Sequence, residues 1–282
     1  MIKKYLLLSI FSVVLLLAAC GSDENSEETA DEGESSDEET VIRVASQTIP
    51  MTEVVELAGE AIEEPYSVEL VEVSDNIQYN EALLNEEVDA SFAQHEPFME
   101  MFNNERDGNL VAVQPIYNAI VGFYSPVYDS VDDIEDGAEV AIPSDPSNEA
   151  RALMILEQHD LIALEEGVTY EATVDDVVEN PHNLTFTHVD LLNLTASYED
   201  GVELVFNYPT YIESIGLTPE DAVFLEEDGD NTFAIQLVAR EDNENSEEIE
   251  ALKKAFTSQE VYDFLSELSE EGHLEPTFEV TE

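Results

Sequence analysis

The chain has 282 residues, of which 67 are Asp or Glu and only 8 are Lys or Arg, for a formal net charge of −59. A surface this acidic repels nucleic acid and anionic headgroups, which excludes nucleic-acid functions. It suits a high-salt medium, where the Debye length shrinks to about 3 Å at 1 M. With one cysteine there is no internal disulfide, and the fold must rest on its core.

Residues 1–20 read as a secretory signal: Lys3 and Lys4 open it, an apolar stretch runs from Leu6 to Leu17, and small residues precede Cys20. The stretch is too short to remain as a membrane span, so cleavage is expected. Leu17-Ala18-Ala19-Cys20 is similar to the lipobox of bacterial lipoproteins, which implies a lipid anchor on the Cys20 sulfur and an extracytoplasmic place at a membrane. Residues 21–40 carry ten acidic residues and no aromatic or branched apolar one, and predict a disordered tether held extended by self-repulsion.

From residue 41 the patterning is regular. Strand-like segments are predicted at Val41–Ala45, Val68–Val73, Val88–Phe92 and Leu110–Val113, with helical spacing over Thr52–Ile62, Asn80–Asn85 and Glu96–Arg106. A second series places strands at Ile120–Tyr124, Glu139–Ile142, Leu184–Val189 and Glu203–Phe206, and a helix at Ser147–Gln158. Phe233–Ala239 then reads as a strand, and Ser246–Phe256 and Gln259–Leu268 as helices. Alternating strands and helices predict an α/β protein with mainly parallel sheets, and two such series predict two lobes with a cleft where strand ends meet. The expected division is 41–117 for the first part of lobe 1, 118–206 for lobe 2, and 207–282 for the return to lobe 1.

No Gly-x-Ser-x-Gly, His-Glu-x-x-His or paired metal-ligand spacing is present, and His159, His182, His188 and His273 are scattered, so neither an enzyme nor a metal site is expected. Glu226-Glu227-Asp228-Gly229-Asp230-Asn231 lacks the alternation of a calcium loop and reads as a solvated turn.

Three motifs remain: Gln94-His95-Glu96-Pro97-Phe98 after a strand, Pro143-Ser144-Asp145-Pro146-Ser147-Asn148-Glu149-Ala150-Arg151, and Glu179-Asn180-Pro181-His182-Asn183-Leu184. Together, in this order, they resemble the NlpA family of substrate-binding lipoproteins, typified by the methionine-binding component of an ABC importer. The likeness runs from about Val41 to Leu265. It implies a two-lobed periplasmic-binding-protein fold of type II-like form, with a hinge between the lobes, that closes on a free amino acid and delivers it to a membrane permease. No cofactor is implied, and a monomer is expected.

The resemblance also implies residue roles. Arg151 would clamp the ligand carboxylate beside Asn148, since a planar guanidinium fork pairs two carboxylate oxygens. Asn207 and His95 would contact the ligand, and Tyr79 and Phe98 would flank its side chain, where rings suit a thioether. Three positions depart from the family pattern: Ala93 stands where Phe precedes Gln-His, Ile235 falls in place of a polar residue, and Phe98 replaces a more frequent Tyr. A regular strand would also turn Phe92 to the face opposite Ala93. A different amino acid or small carboxylate therefore stays open as ligand beside methionine, and a surface structural lipoprotein is the remaining non-enzymatic reading.

Overall fold

The computed structural model describes residues 39–227 and 231–280. The expected signal, the Cys20 anchor and the tether as far as residue 38 lie outside the described residues, as do residues 228–230 of the acidic turn.

The chain begins with β1 (Thr40–Ser46), α1 (Met51–Ala61), β2 (Tyr66–Glu72), α2 (Gln78–Leu84), β3 (Ala90–His95), α3 (Glu96–Arg106) and β4 (Leu110–Ala119). It then passes through β5 (Gly122–Tyr124), β6 (Glu139–Pro143), α4 (Pro146–Gln158), β7 (Ala163–Leu164), β8 (Val177–Glu179), β9 (Thr185–Val189), α5 (Leu194–Glu199), β10 (Leu204–Asn207), α6 (Pro209–Ile212) and β11 (Ala222–Leu225). The last part is β12 (Ala234–Arg240), α7 (Glu247–Phe256), α8 (Gln259–Glu270) and β13 (Leu274–Pro276).

Two sheets organise eleven of these strands, and β7 and β8 form a separate antiparallel pair. The six-stranded sheet has the order β13-β4-β12-β3-β1-β2, and the five-stranded sheet has the order β11-β5-β10-β6-β9. Each is the floor of one lobe. The chain leaves the first sheet after Ala119 and returns to it only at Ala234, so the second crossing follows β11 rather than β10. The boundary expected at 206/207 falls inside lobe 2, because β11 still pairs with β5 of the second sheet. Its four residues carried too little pattern to be read as a strand.

The sheets are mixed rather than mainly parallel. β2, β1 and β3 run parallel, as do β9, β6 and β10. The strands entering or leaving a lobe at the crossings, β4, β5, β11 and β12, pair antiparallel, as does β13. A strand arriving from the other lobe is not bound by the crossover geometry that makes βαβ strands parallel.

Local sequence explains the main elements. Val54, Val55 and Ala58 of α1 are fully buried at helical spacing, and α1 packs against α7 and α8. Ser246 and Ser258 cap α7 and α8 by accepting from the amides of Ile249 and Val261, each cap contributing about 1 kcal/mol. Arg240 is buried at the end of β12, where its guanidinium donates to the carbonyls of Leu83 and Val88 and ties α2 to the approach of β3. At the crossing, β5 and β11 come so close that a Cβ on Gly122 would lie 2.7 Å from the Phe224 carbonyl oxygen, and only glycine fits.

Candidate functional site

The motif Gln94-His95-Glu96-Pro97-Phe98 folds as the end of β3 and the start of α3. A bulge in the β3–β12 pairing, opposite Gln236 and Leu237, leaves Ala93 out of register. Bulges re-aim side chains. Here Ala93, Gln94 and His95 all line one cavity, while Phe92 packs edge-on against Phe256 at 5.1 Å between ring centroids. His95 caps α3 through Nδ1, which accepts from the amide of Phe98 at 3.2 Å. That bond fixes the tautomer, so Nε2 carries the proton and donates to Asn148 Oδ1 at 3.1 Å. Burial, with the nearby charge of Arg151, holds the imidazole down to about pKa 3, against the opposing pull of the Asn148 bond. The ring is neutral.

Asn148 belongs to the matching turn in the other lobe. Asp145 caps α4 by accepting from the amide of Asn148, and Pro146 starts the helix. The Asn148 amide nitrogen also donates to the Asp145 carboxylate, and its oxygen accepts from His95 and from the Tyr208 hydroxyl at 3.0 Å. Burial pushes the Asp145 carboxyl up, with hydrogen bonds from Asn148 and Ser147 opposing. The caps of α3 and α4, one from each lobe, are thus joined through Asn148.

Around this bridge lies a narrow cavity lined from both lobes. Lobe 1 contributes Gln47, Asn76, Tyr79, Phe98, Tyr117, Ile235 and His273, and lobe 2 contributes Asn148, Leu191, Tyr208, Thr210 and Tyr211. Tyr79 and Phe98 stand 6.4 Å apart between centroids. Burial raises the phenols of Tyr79, Tyr117 and Tyr208, so all are neutral donors. No group of three His, Cys, Asp or Glu side chains able to hold a metal occurs among the described residues. Neutral hydrogen-bonding groups set among aromatic rings can enclose and orient a small molecule.

Four of the six expected ligand residues, Tyr79, His95, Phe98 and Asn148, meet at this cavity. Arg151 and Asn207 do not line it. Arg151 is 2% exposed, and its fork is already taken: Nε donates to Glu226 Oε1 at 2.9 Å and Nη2 to Glu226 Oε2. Nη2 also donates to the Ala119 carbonyl at 2.9 Å and Nη1 to the Tyr208 hydroxyl at 3.2 Å, while Phe233 lies 4.6 Å beneath the guanidinium. The guanidinium expected to clamp a ligand carboxylate is here engaged by these protein partners. Arg151 pins α4 to both crossing segments and stands one hydrogen bond behind the cavity, through Tyr208. Glu226 is correspondingly no part of a solvated turn. Asn207 turns its amide to Thr195 Oγ1 at 3.1 Å and accepts from the amide of Tyr208, which fixes the end of β10 within lobe 2.

Sequence reasoning missed Gln47, Asn76, Tyr117, Tyr208, Tyr211 and His273. Tyr208 lay next to a chosen residue and offered a signal. His273 was set aside as scattered, yet the pairing of β13 with β4 brings it to the cavity edge.

Two lobes joined by two crossings, with a cavity lined from both, define a solute-binding fold of the periplasmic-binding-protein class. The family model described as NlpA lipoprotein matches residues 42–278, and the chain belongs to that family. The chain is 36% identical over 253 residues to the D-methionine-binding lipoprotein MetQ of Salmonella typhi, covering 88% of this chain and 89% of that protein. A YaeC-family lipoprotein from Enterococcus faecalis is 46% identical, with a TM-score of 0.75 over 85% of this chain and 100% of that one. A nutrient-binding protein from Burkholderia cenocepacia, solved bound to methionine, is 30% identical, with a TM-score of 0.79 over 84% and 100%. The family consists of substrate-binding lipoproteins of ABC importers and not of enzymes.

Proposed function

We propose that this chain is the lipid-anchored, extracytoplasmic binding component of an ABC importer, and that it captures a free amino acid, methionine, by closure of its two lobes and presents it to the permease. The observation that carries this reading is the cavity itself. Tyr79, Phe98 and Tyr117 give a thioether the ring contacts that sulfur favours, about 0.3–1.5 kcal/mol each, while His95, Asn148 and Tyr208 supply oriented polar groups. His95 and Asn148 come from opposite lobes, so a ligand touching both gains contacts that exist only when the lobes meet. The ligand carboxylate is assigned to the Tyr208 end, where the Arg151 charge stands behind the phenol. Ile235 on the wall keeps a second reading in play, another amino acid or small carboxylate with a more apolar side chain.

Thermal melting against a panel of free amino acids, including both enantiomers of methionine, separates these readings. A ligand at one hundred times its Kd adds about 2.7 kcal/mol, which raises the melting temperature by roughly 5–10 °C in a domain of this size. The account expects that rise with methionine. A rise with another acid and none with methionine selects the second reading, and no rise with any acid overturns both.

A further inference from the structure

Among the described residues, five buried side-chain atoms lack a hydrogen-bond partner: Gln47 Oε1, Ser91 Oγ, Tyr124 OH, His273 Nδ1 and Thr277 Oγ1. Only Gln47 and His273 also line the cavity. Both residues are more than nine-tenths buried, at 3% and 5% exposure. A buried polar atom without a partner is destabilising, and such atoms in a cavity wall mark where a ligand group completes the bond. His273 Nδ1 can donate or accept according to tautomer, so it selects no particular group. Gln47 does select one. Its amide nitrogen donates to Asn76 Oδ1 at 2.6 Å, which leaves the oxygen, on a residue of the cavity wall, as an acceptor without a partner.

We propose that Gln47 is a specificity-determining residue that receives the ammonium group of the ligand, an inference that rests on the amino-acid-binding function above. Methionine has a single hydrogen-bond donor group, its ammonium, and nothing else in that ligand can satisfy an amide oxygen. An ammonium also makes the stronger, charge-assisted form of the bond. Among the described residues no Lys or Arg lines the cavity, so none of them there repels a cation. The site would select amino acids over the corresponding carboxylic acids that lack the amine.

The test compares L-methionine with its des-amino analogue, methylthiobutanoate, by calorimetric titration of the full chain and of its Gln47→Leu and Gln47→Glu variants. The parent should bind methionine roughly ten- to hundredfold more tightly than the analogue. Gln47→Leu should lose most of that preference by weakening methionine alone, and Gln47→Glu should keep or enlarge it. The comparison of the two compounds on the parent needs no variant to fold. Equal affinity of the parent for both compounds, or an equal loss for both in Gln47→Leu, would overturn the assignment. If melting identifies another amino acid, the same comparison is made with that acid and its des-amino form, so the ligand's identity and the role of Gln47 fail separately.

Discussion

Replacing Glu226 with Ala is expected to cost this protein a large share of its stability. Arg151 is 2% exposed and its Glu226 partner 18%, so removal of the carboxylate strands a guanidinium in the interior. The pair's cost of desolvation is offset only while both members are present, and stranding one costs about 3–5 kcal/mol. In a domain of about 240 residues that lowers the melting temperature by roughly 6–20 °C. The double variant Arg151→Met with Glu226→Met leaves no buried charge and should recover much of the loss. Chemical denaturation of the parent, both single variants and the double variant gives the coupling directly. A Glu226→Ala protein within a degree or two of the parent would show that the guanidinium is compensated elsewhere.

The second large effect is expected in acid. His95 titrates near pKa 3 in the folded chain, against an ordinary value of 6.5, because burial and the Arg151 charge disfavour the imidazolium. Between these values the unfolded chain binds more protons than the folded one, so stability falls as pH falls. The contribution is complete above about pH 6.5 and is lost progressively towards pH 3, up to about 5 kcal/mol over the window. The acidic side chains common to both proteins cancel when the parent is compared with His95→Gln. That variant should have the flatter stability profile between pH 6.5 and 3. Parallel curves for the two proteins would contradict the burial of a neutral imidazole at the lobe bridge.

Much of this was legible in sequence because it was local. Helix α3 spans Glu96–Arg106 as expected, since Pro97 marks its start and Phe98 and Phe102 repeat at helical spacing on a buried side. Strands β6, β9 and β10 fall within a residue or so of their predicted ends, because β6 and β10 carry short apolar runs and β9 interleaves apolar with polar residues. The short edge strands β11 and β13 were not legible, having too few residues for a period to show. The absence of β11 from the reading misplaced the second crossing.

The site shows the same division. Tyr79, His95, Phe98 and Asn148 sit in compact motifs, and the fold brings them together. The partner of Arg151 was illegible: Glu226 lies 75 residues away and is one of 67 acidic residues with nothing local to mark it. Asn207 stands beside the wall residue Tyr208, but its amide is satisfied within its own lobe. Gln47 follows β1 with no pattern to flag it. Only the fold shows that its amide oxygen is buried in the cavity wall without a partner.

The central claim is that the cavity between the lobes holds a free amino acid, and mass spectrometry of the small molecules released on denaturing the purified protein tests it most directly. Ligands enclosed between two lobes leave slowly, since dissociation requires the lobes to part. The account predicts methionine in an amount approaching one per chain, and its reappearance when stripped protein is incubated with a mixture of amino acids. Stripped protein that recovers no amino acid from that mixture, while keeping its fold, would contradict the claim.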